Sequence, residues 1–205
     1  MNDFILHTEL KQHLQTIIDH SDRLGGVLCF HGLPGCGKTL FSTYYSHLVA
    51  REVHTFDANS HLFDKSSASN ILKTITEIVR TTSLAQFSDD YNQNGIWDRC
   101  FVIDEFHNLS SSRQDAYKIS LEKLSQQHNV LFILIVNTSK DKPLSKVLTP
   151  AILSRCQSVD FDIKTKHYQE VTAIIKNRYP ELDEHYIKKT LPDLRCIVKE
   201  AKMMF

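Results

Sequence analysis

The stretch Gly32-Leu33-Pro34-Gly35-Cys36-Gly37-Lys38-Thr39 decides how the rest of this chain is interpreted. It has the pattern G-x-x-x-x-G-K-T, and it follows a short apolar run, Val27–Phe30, and precedes a segment with helical periodicity. Glycines let the backbone N–H groups of such a loop point inward, and the following helix N-terminus adds its dipole, so the loop suits phosphate groups. The pattern therefore predicts a nucleotide phosphate-binding loop, in which Lys38 reaches the β- and γ-phosphates and Thr39 ligates Mg²⁺.

The predicted phosphate-binding set extends one residue past this pattern. It comprises Gly32, Leu33, Pro34, Gly35, Cys36, Gly37, Lys38, Thr39 and Leu40. Cys36 occupies a variable position, so packing is a better interpretation of it than chemistry. The alternative to a functional loop is a chance match or a degenerate nucleotide site, and the flanking strand and helix argue against both.

A second pattern, Cys100-Phe101-Val102-Ile103-Asp104-Glu105, consists of an apolar run followed by two acids. Asp104, at the end of a predicted strand, is placed to hold Mg²⁺, directly or through water. Glu105 is placed to act as the general base that polarises the attacking water. An acidic pair at a strand end is also typical of a solvated turn. Its position downstream of a phosphate-binding loop favours the catalytic interpretation.

A polar residue, Asn137, directly follows the apolar run Leu131–Val136. If this run is the strand next to the one that ends in Asp104, the amide can contact the γ-phosphate or its attacking water. The alternative is an asparagine that only forms a turn. The two preceding motifs favour the catalytic interpretation.

The whole chain alternates between predicted strands and predicted helices. The strands are predicted at Val27–Phe30, Val53–Phe56, Cys100–Ile103, Val130–Val136 and Val159–Phe161. Runs that are apolar on both faces indicate a parallel sheet covered by helices, so the predicted fold is α/β, of the P-loop NTPase type. After about Asp162 the pattern is purely helical. We therefore predict an ATP-binding base domain over residues 1–161 and a small helical lid domain over residues 162–205.

The amino-acid composition limits which binding partners and which cellular compartment are expected for this chain. Lysine plus arginine and aspartate plus glutamate both number 24, so a nucleic-acid partner requires a local basic patch. The five cysteines form no C-x-x-C pair, which predicts neither a disulfide framework nor a zinc site and favours a reducing, cytoplasmic location. The longest apolar run, Val130–Val136, is too short to span a bilayer, so no membrane partner is expected.

Three segments resemble the clamp-loader ATPases of the AAA+ group, the bacterial, phage and replication-factor-C-type subunits that load sliding clamps on primed DNA. Ile152-Leu153-Ser154-Arg155-Cys156 is similar to that family's Ser-Arg-Cys motif. Arg113-Gln114-Asp115-Ala116-Tyr117-Lys118 is similar to its helix after the acidic pair. Pro192-Asp193-Leu194-Arg195 is similar to the opening of its last lid helix.

The resemblance implies roles that the residue patterns alone do not. Arg155 would act in trans on ATP bound to a neighbouring subunit, and Arg195 would reach back to the γ-phosphate. Gln114 would couple the ATP site to DNA, although it could equally be a helix-capping residue. The catalytic set then comprises Lys38, Glu105, Asn137, Arg155 and Arg195, with ATP and Mg²⁺ as cofactors. Other AAA+ subunits, primed-template DNA and a sliding clamp would be the partners.

Two departures from the family pattern leave other functions open. The collar domain that follows the lid in these subunits is not visible before Phe205, which allows a truncated chain, a different assembly or a different function. The N-terminal segment that helps to hold adenine also differs, and Phe4 and Ile5 could replace it. The alternatives are a helicase loader, a small viral-type helicase, or an ATP-binding scaffold subunit that needs a partner for hydrolysis.

Overall fold

The computed structural model of the chain describes residues 4–59, 68–81 and 92–204. At its centre lies a five-stranded sheet in the order β2-β3-β4-β1-β5, with every neighbouring pair of strands parallel. The predicted five-stranded parallel sheet is thereby confirmed. The strands are β1 (Val27–Gly32), β2 (Ala50–Asp57), β3 (Trp97–Asp104), β4 (Val130–Asn137) and β5 (Gln157–Asp160).

Helices cover both faces of this sheet, as the unbroken apolar runs of its central strands require. One face packs against α1 and α2 and the other against α3, α4 and α6, each around its own apolar core. Helices α7 to α9 follow β5 and surround a third apolar core. The helices are α1 (Thr8–Asp19), α2 (Lys38–Val49), α3 (Ala68–Arg80), α4 (Ser111–His128), α5 (Leu144–Val147), α6 (Pro150–Leu153), α7 (Tyr168–Arg178), α8 (Glu184–Thr190) and α9 (Leu194–Met203).

Several element boundaries differ from the sequence pattern. The sequence pattern predicts that the helix after the phosphate loop runs to about Arg51, but α2 ends at Val49, because β2 starts at Ala50 with no loop between them. Helical periodicity predicts the start of the next helix near Ser66, which lies outside the described residues. The polar residues 83–99 predict a loop; residues 83–91 lie outside the described residues, and the prediction is wrong at its end, because β3 already begins at Trp97. Among the helices that the structure describes, none combines the length and the apolar character needed to cross a bilayer.

The first turn of α1 joins the base of the fold to the C-terminal helices. His7 is the N-cap of α1, and its Nδ1 accepts a hydrogen bond from the backbone N–H of Leu10 at 3.3 Å. Thr8 is the first helical residue; its N–H and hydroxyl both donate to the Glu170 carboxylate of α7, at 2.7 and 2.5 Å. Ile5, just before the helix, packs in the core of the C-terminal helices. The N-terminal segment therefore contacts both parts of the fold.

A stacked pair of histidines lies at this junction, with ring centroids of His7 and His167 3.6 Å apart. The Nδ1 atom of each ring accepts a backbone N–H, so in the neutral ring the proton of each imidazole lies on Nε2. With Glu9 the pair could in principle hold a metal ion. A metal at either Nε2 would displace that proton, and Nδ1 could not carry it without losing its backbone donor. The cluster therefore suits a structural contact better than a cation.

The His7 pair predicts a loss of stability in mild acid. Burial, and then the adjacent His167, lowers the pKa of His7 below its usual 6.5, partly opposed by Glu170 and Glu9. The unfolded chain therefore takes up the proton first, and the free energy of unfolding should fall as the pH drops below about 6.5. We expect His7→Asn, which can still cap the helix, to reduce this pH dependence.

Chemical denaturation at a series of pH values between about 7 and 5 measures the effect. His13→Asn, on the exposed face of the same helix, is the matched control and should leave the slope unchanged. An unaltered slope in His7→Asn would contradict the prediction. A residual slope is expected, because burial also lowers the pKa of His31 and His54.

Candidate active site

A cavity of 740 Å³ opens beside the carboxyl ends of the strands, between the loop after β1 and the C-terminal helices. This volume falls within the range of small-molecule sites in proteins. The strand order places β3 and β4 beside β1, so residues after these three strands meet at one edge of the sheet. Ten of the predicted site residues line the cavity: Gly35, Cys36, Gly37, Lys38, Thr39, Leu40, Asp104, Glu105, Asn137 and Arg195.

The phosphate-binding loop contributes its second half to the cavity, from Gly35 to Leu40. Gly32, Leu33 and Pro34 do not line it, and the N–H of Leu33 donates to Asp162 at 2.5 Å. Lys38 is only 4% exposed, and its ammonium group donates to the carbonyl oxygens of Gly32 and Leu33 at 3.0 and 2.7 Å. Burial lowers its pKa, while neighbouring acids oppose the shift. The lysine is thus held inside the loop, at the floor of the cavity.

The two predicted metal ligands are adjacent. The Thr39 hydroxyl donates to Oδ2 of Asp104 at 3.1 Å, which links the first turn of α2 to the end of β3. The other carboxylate oxygen, Oδ1, accepts the N–H of Glu105 at 2.8 Å. A hydroxyl and a carboxylate are hard oxygen donors of the kind that Mg²⁺ prefers, and the ion keeps several waters in such sites. These residues therefore fit a magnesium ion.

Glu105 and Asn137 contact each other directly. The Asn137 amide nitrogen lies 3.2 and 3.1 Å from the two carboxylate oxygens of Glu105. Glu105 has left-handed backbone geometry, with φ 55° and ψ 30°, which costs a non-glycine residue roughly 1–2 kcal/mol. Such strain is concentrated at functional sites, where surrounding contacts maintain it. The carboxylate is thus held at the edge of the cavity by a residue of the adjacent strand.

The sequence patterns missed a third member of this group, His107. Its Nε2 lies 3.2 Å from Oε2 of Glu105, and its Nδ1 accepts the backbone N–H of Asn137 at 3.3 Å. Burial lowers its pKa, and the Glu105 carboxylate opposes the shift. The sequence feature that could have identified His107 is its position two residues after Glu105, in Asp104-Glu105-Phe106-His107.

The start of α9 lies against the phosphate-binding loop. A side chain at Gly35 would clash with the Asp193 carboxylate, and the Cys36 thiol donates weakly to the Pro192 carbonyl at 3.7 Å. Burial raises the pKa of Cys36 to about 11, so this thiol is an inert packing group. Asp193 also caps α9 by accepting the N–H of Cys196. Arg195 is thereby carried into the lining of the cavity.

Arg155 lies apart from these residues and is not among those that line the cavity. Its Nε donates to Glu122 of α4 at 2.9 Å, and its Nη1 donates to the Ala151 carbonyl at the same distance. The side chain is 28% exposed. The structure thus brings every predicted catalytic residue except this arginine into its own nucleotide cavity.

Gln114 fixes the segment that carries Arg155. The side chain is 2% exposed and donates to the carbonyl oxygens of Leu109 and Val147, both at 3.0 Å. Its amide oxygen accepts the N–H of Thr149 at 2.9 Å. Gln114 is therefore not a helix cap, because the cap position of α4 is Ser110. It joins the start of α4 to the chain that leads into α6.

The N-terminal residues complete the cavity opposite the acids. Phe4 packs edge-on against Phe41 and Tyr44, with ring centroids 5.6 and 5.2 Å apart. Phe4 and Ile5 both line the cavity. They form an apolar wall that suits the flat face of a nucleotide base.

A phosphate-binding loop at a helix N-terminus, with an acidic pair and an asparagine on adjacent strands, defines a P-loop NTPase. Residues 28–162 match the model of the ATPase family associated with various cellular activities, AAA. Because the match covers more than half of the chain, the chain belongs to this family. No sequence among curated proteins matches the chain significantly.

Several solved structures share the fold. The replication initiator DnaA bound to AMPPCP and single-stranded DNA has a TM-score of 0.61 and 15% identity, over 94% of this chain and 59% of that one. A RuvB variant from Thermotoga maritima has a TM-score of 0.51 and 16% identity, over 88% and 54%. C. elegans PCH-2 has a TM-score of 0.52 and 16% identity, over 87% and 51%. The chain thus spans a little over half the length of these proteins.

Proposed function

We propose that this chain binds ATP with Mg²⁺ and hydrolyses it at an interface between subunits, as a clamp-loader-like factor in DNA replication. The base domain would comprise residues 1–161 and the lid residues 162–205, within the cell. The observation that carries the proposal is the location of Arg155. The cavity is lined by the second half of the phosphate loop, the acids and Asn137, whereas Arg155 contacts Glu122 and is not among the lining residues.

In this proposal the residues that line the cavity have different roles in ATP hydrolysis. Lys38 and the N–H groups after Gly35 hold the phosphates, and Phe4 packs against the base. Thr39 and Asp104 would hold Mg²⁺, and the ion when bound would supply positive charge that neutralises the phosphate oxygens. Glu105 takes the proton of the attacking water.

In the proposed assembly, an arginine from a neighbouring subunit adds a further guanidinium to a cavity that Arg195 of the same chain already lines. Charge that develops on the transferred phosphoryl group is stabilised by a guanidinium, which increases the rate by about 10³–10⁵ in other NTPases. Arg155 is held by the Ala151 carbonyl of α6 and by Glu122, and it is not among the residues that line its own cavity. A head-to-tail assembly would bring it to the next cavity, and hydrolysis would then require assembly.

A DNA partner is supported by the basic residues of two packed helices. Lys73 and Arg80 lie exposed on α3, and Arg113 and Lys118 lie on the adjacent α4. Such side chains contact phosphates without reading base sequence. The similar fold of DnaA, solved with single-stranded DNA, and the Ser-Arg-Cys segment at Arg155 also support this partner. A further basic residue just before α3 in the sequence, Lys65, lies outside the described residues.

The proposal is tested by ATP hydrolysis measured against protein concentration, with and without primed-template DNA. We expect activity to rise more steeply than linearly with protein and to increase with DNA. Binding of ATP with no hydrolysis at any concentration would contradict it and indicate a scaffold subunit. Strand separation without a clamp would instead identify a helicase.

A further inference from the structure

The hydrogen bonds of His107 determine which of its ring nitrogens carries the proton. The backbone N–H of Asn137 donates to Nδ1 at 3.3 Å, so Nδ1 presents a lone pair. In the neutral ring the proton is then on Nε2, which lies 3.2 Å from Oε2 of Glu105 and donates to it. The backbone at the end of β4 thus sets the tautomer of His107, and this tautomer presents an N–H donor to the Glu105 carboxylate.

The local fold keeps the imidazole in place. Phe106 is fully buried, and its ring packs edge-on against Tyr117 at a centroid distance of 5.6 Å. The 3-10 turn Phe106–Asn108 follows the left-handed residue Glu105. With Phe106 anchored in the core, Glu105 and His107 both face Asn137. The His107 side chain is only 20% exposed, so water competes weakly for this contact.

The side-chain amide of Asn137 would have to make two different contacts. Its Nδ2 lies within hydrogen-bonding distance of both oxygens of Glu105, while its predicted role requires the same nitrogen to donate to the γ-phosphate. An amide has only two N–H donors, so donation to the phosphate removes at least part of its contact with Glu105. His107 makes no such second donation, because its other nitrogen already accepts from the backbone.

We propose that His107 is the positioning residue that keeps the Glu105 carboxylate in place while the Asn137 amide turns to the γ-phosphate. This inference rests on the proposed function. His107 touches neither the nucleotide nor the water; it acts through Glu105. The general base is then oriented by an imidazole whose tautomer is set by the backbone of the adjacent strand.

Replacement of His107 separates this role from a structural one. We expect His107→Phe to lower kcat about 10–100-fold, within the total effect of general-base catalysis, with ATP affinity changed less than twofold. His107→Gln, whose amide can still donate to Glu105, should recover part of the rate. His13→Phe, at an exposed position on α1, is the matched control. Steady-state kinetics, ATP binding and thermal unfolding are measured for each variant.

A double-mutant cycle gives the decisive comparison. If His107 acts through Glu105, adding His107→Phe to Glu105→Gln should slow the reaction less than about twofold further. Multiplying losses, or a normal kcat in His107→Phe while Glu105→Gln is inactive, would contradict the inference and leave the proposed ATPase intact. A wild-type chain that binds ATP without hydrolysing it would contradict both.

Discussion

Glu105→Gln should bind ATP with the affinity of the wild-type chain and hydrolyse it about 10²–10⁴-fold more slowly. The substitution preserves the shape of the side chain and removes its capacity to take a proton. The Asn137 amide and the His107 ring can still donate to the remaining carbonyl oxygen. The loss should therefore fall on kcat rather than on binding.

Single-turnover hydrolysis, with ATP binding measured separately, checks this result. Glu181→Gln, on an exposed loop of the C-terminal helices, is the control and should behave like the wild-type chain. Retention of most of the hydrolysis rate in Glu105→Gln would mean that another group activates the water. Loss of ATP binding would instead assign Glu105 a ground-state role.

Arg155→Ala should also retain ATP binding, with hydrolysis reduced about 10³–10⁵-fold. The arginine lies outside its own cavity, so its removal leaves the phosphate loop and the acids of that chain unchanged. Loss of the partly exposed contact with Glu122 should change the free energy of unfolding by about 1 kcal/mol or less. The variant should therefore remain folded and loaded with ATP.

Mixing the two inactive variants tests whether Arg155 acts between chains. When the cavity belongs to an Arg155→Ala chain and its neighbour is a Glu105→Gln chain, the shared interface contains both an intact Glu105 and an intact Arg155. About a quarter of the interfaces in a random one-to-one mixture have this composition, so a comparable share of activity should return. Arg23→Ala, at a position 76% exposed, is the control for loss of an arginine. A fully active Arg155→Ala would exclude a role for this arginine in hydrolysis. Failure of the two inactive variants to recover activity when mixed would exclude its action between chains.

Much of the fold could be predicted because the central strands are covered on both faces. β4 is buried along seven of its eight residues, and such a strand shows as an unbroken apolar run. The phosphate loop and the acidic pair were equally visible, since their chemistry requires particular residue types at fixed spacing. Local sequence signals, such as those for helix caps, predicted the structure less well. Threonine is a common N-cap residue, so the sequence predicts Thr8 as the cap of the first helix, but Thr8 lies inside α1 and the cap is His7.

Contacts between distant parts of the chain could not be predicted. His107 is recognisable only once β4 lies beside β3 and the N–H of Asn137 meets its ring. The packing of Asp193 against Gly35 brings together residues that lie far apart in the sequence, and no spacing rule relates them. Gln114 shows a further limit. Its helical position suggested a cap, whereas its three backbone partners come from segments on both sides of it.

The three bonds of Gln114 have a consequence for which amino acids position 114 can hold. Glutamate can accept the N–H of Thr149, but in its charged form it opposes the carbonyl oxygens of Leu109 and Val147. Methionine matches the volume and leaves all three backbone groups unpaired, at a cost of about 1–3 kcal/mol each. Asparagine is one methylene shorter. Among the standard residues, glutamine alone combines this length with a donor and an acceptor. We therefore expect position 114 to tolerate far fewer amino-acid substitutions than most helical positions.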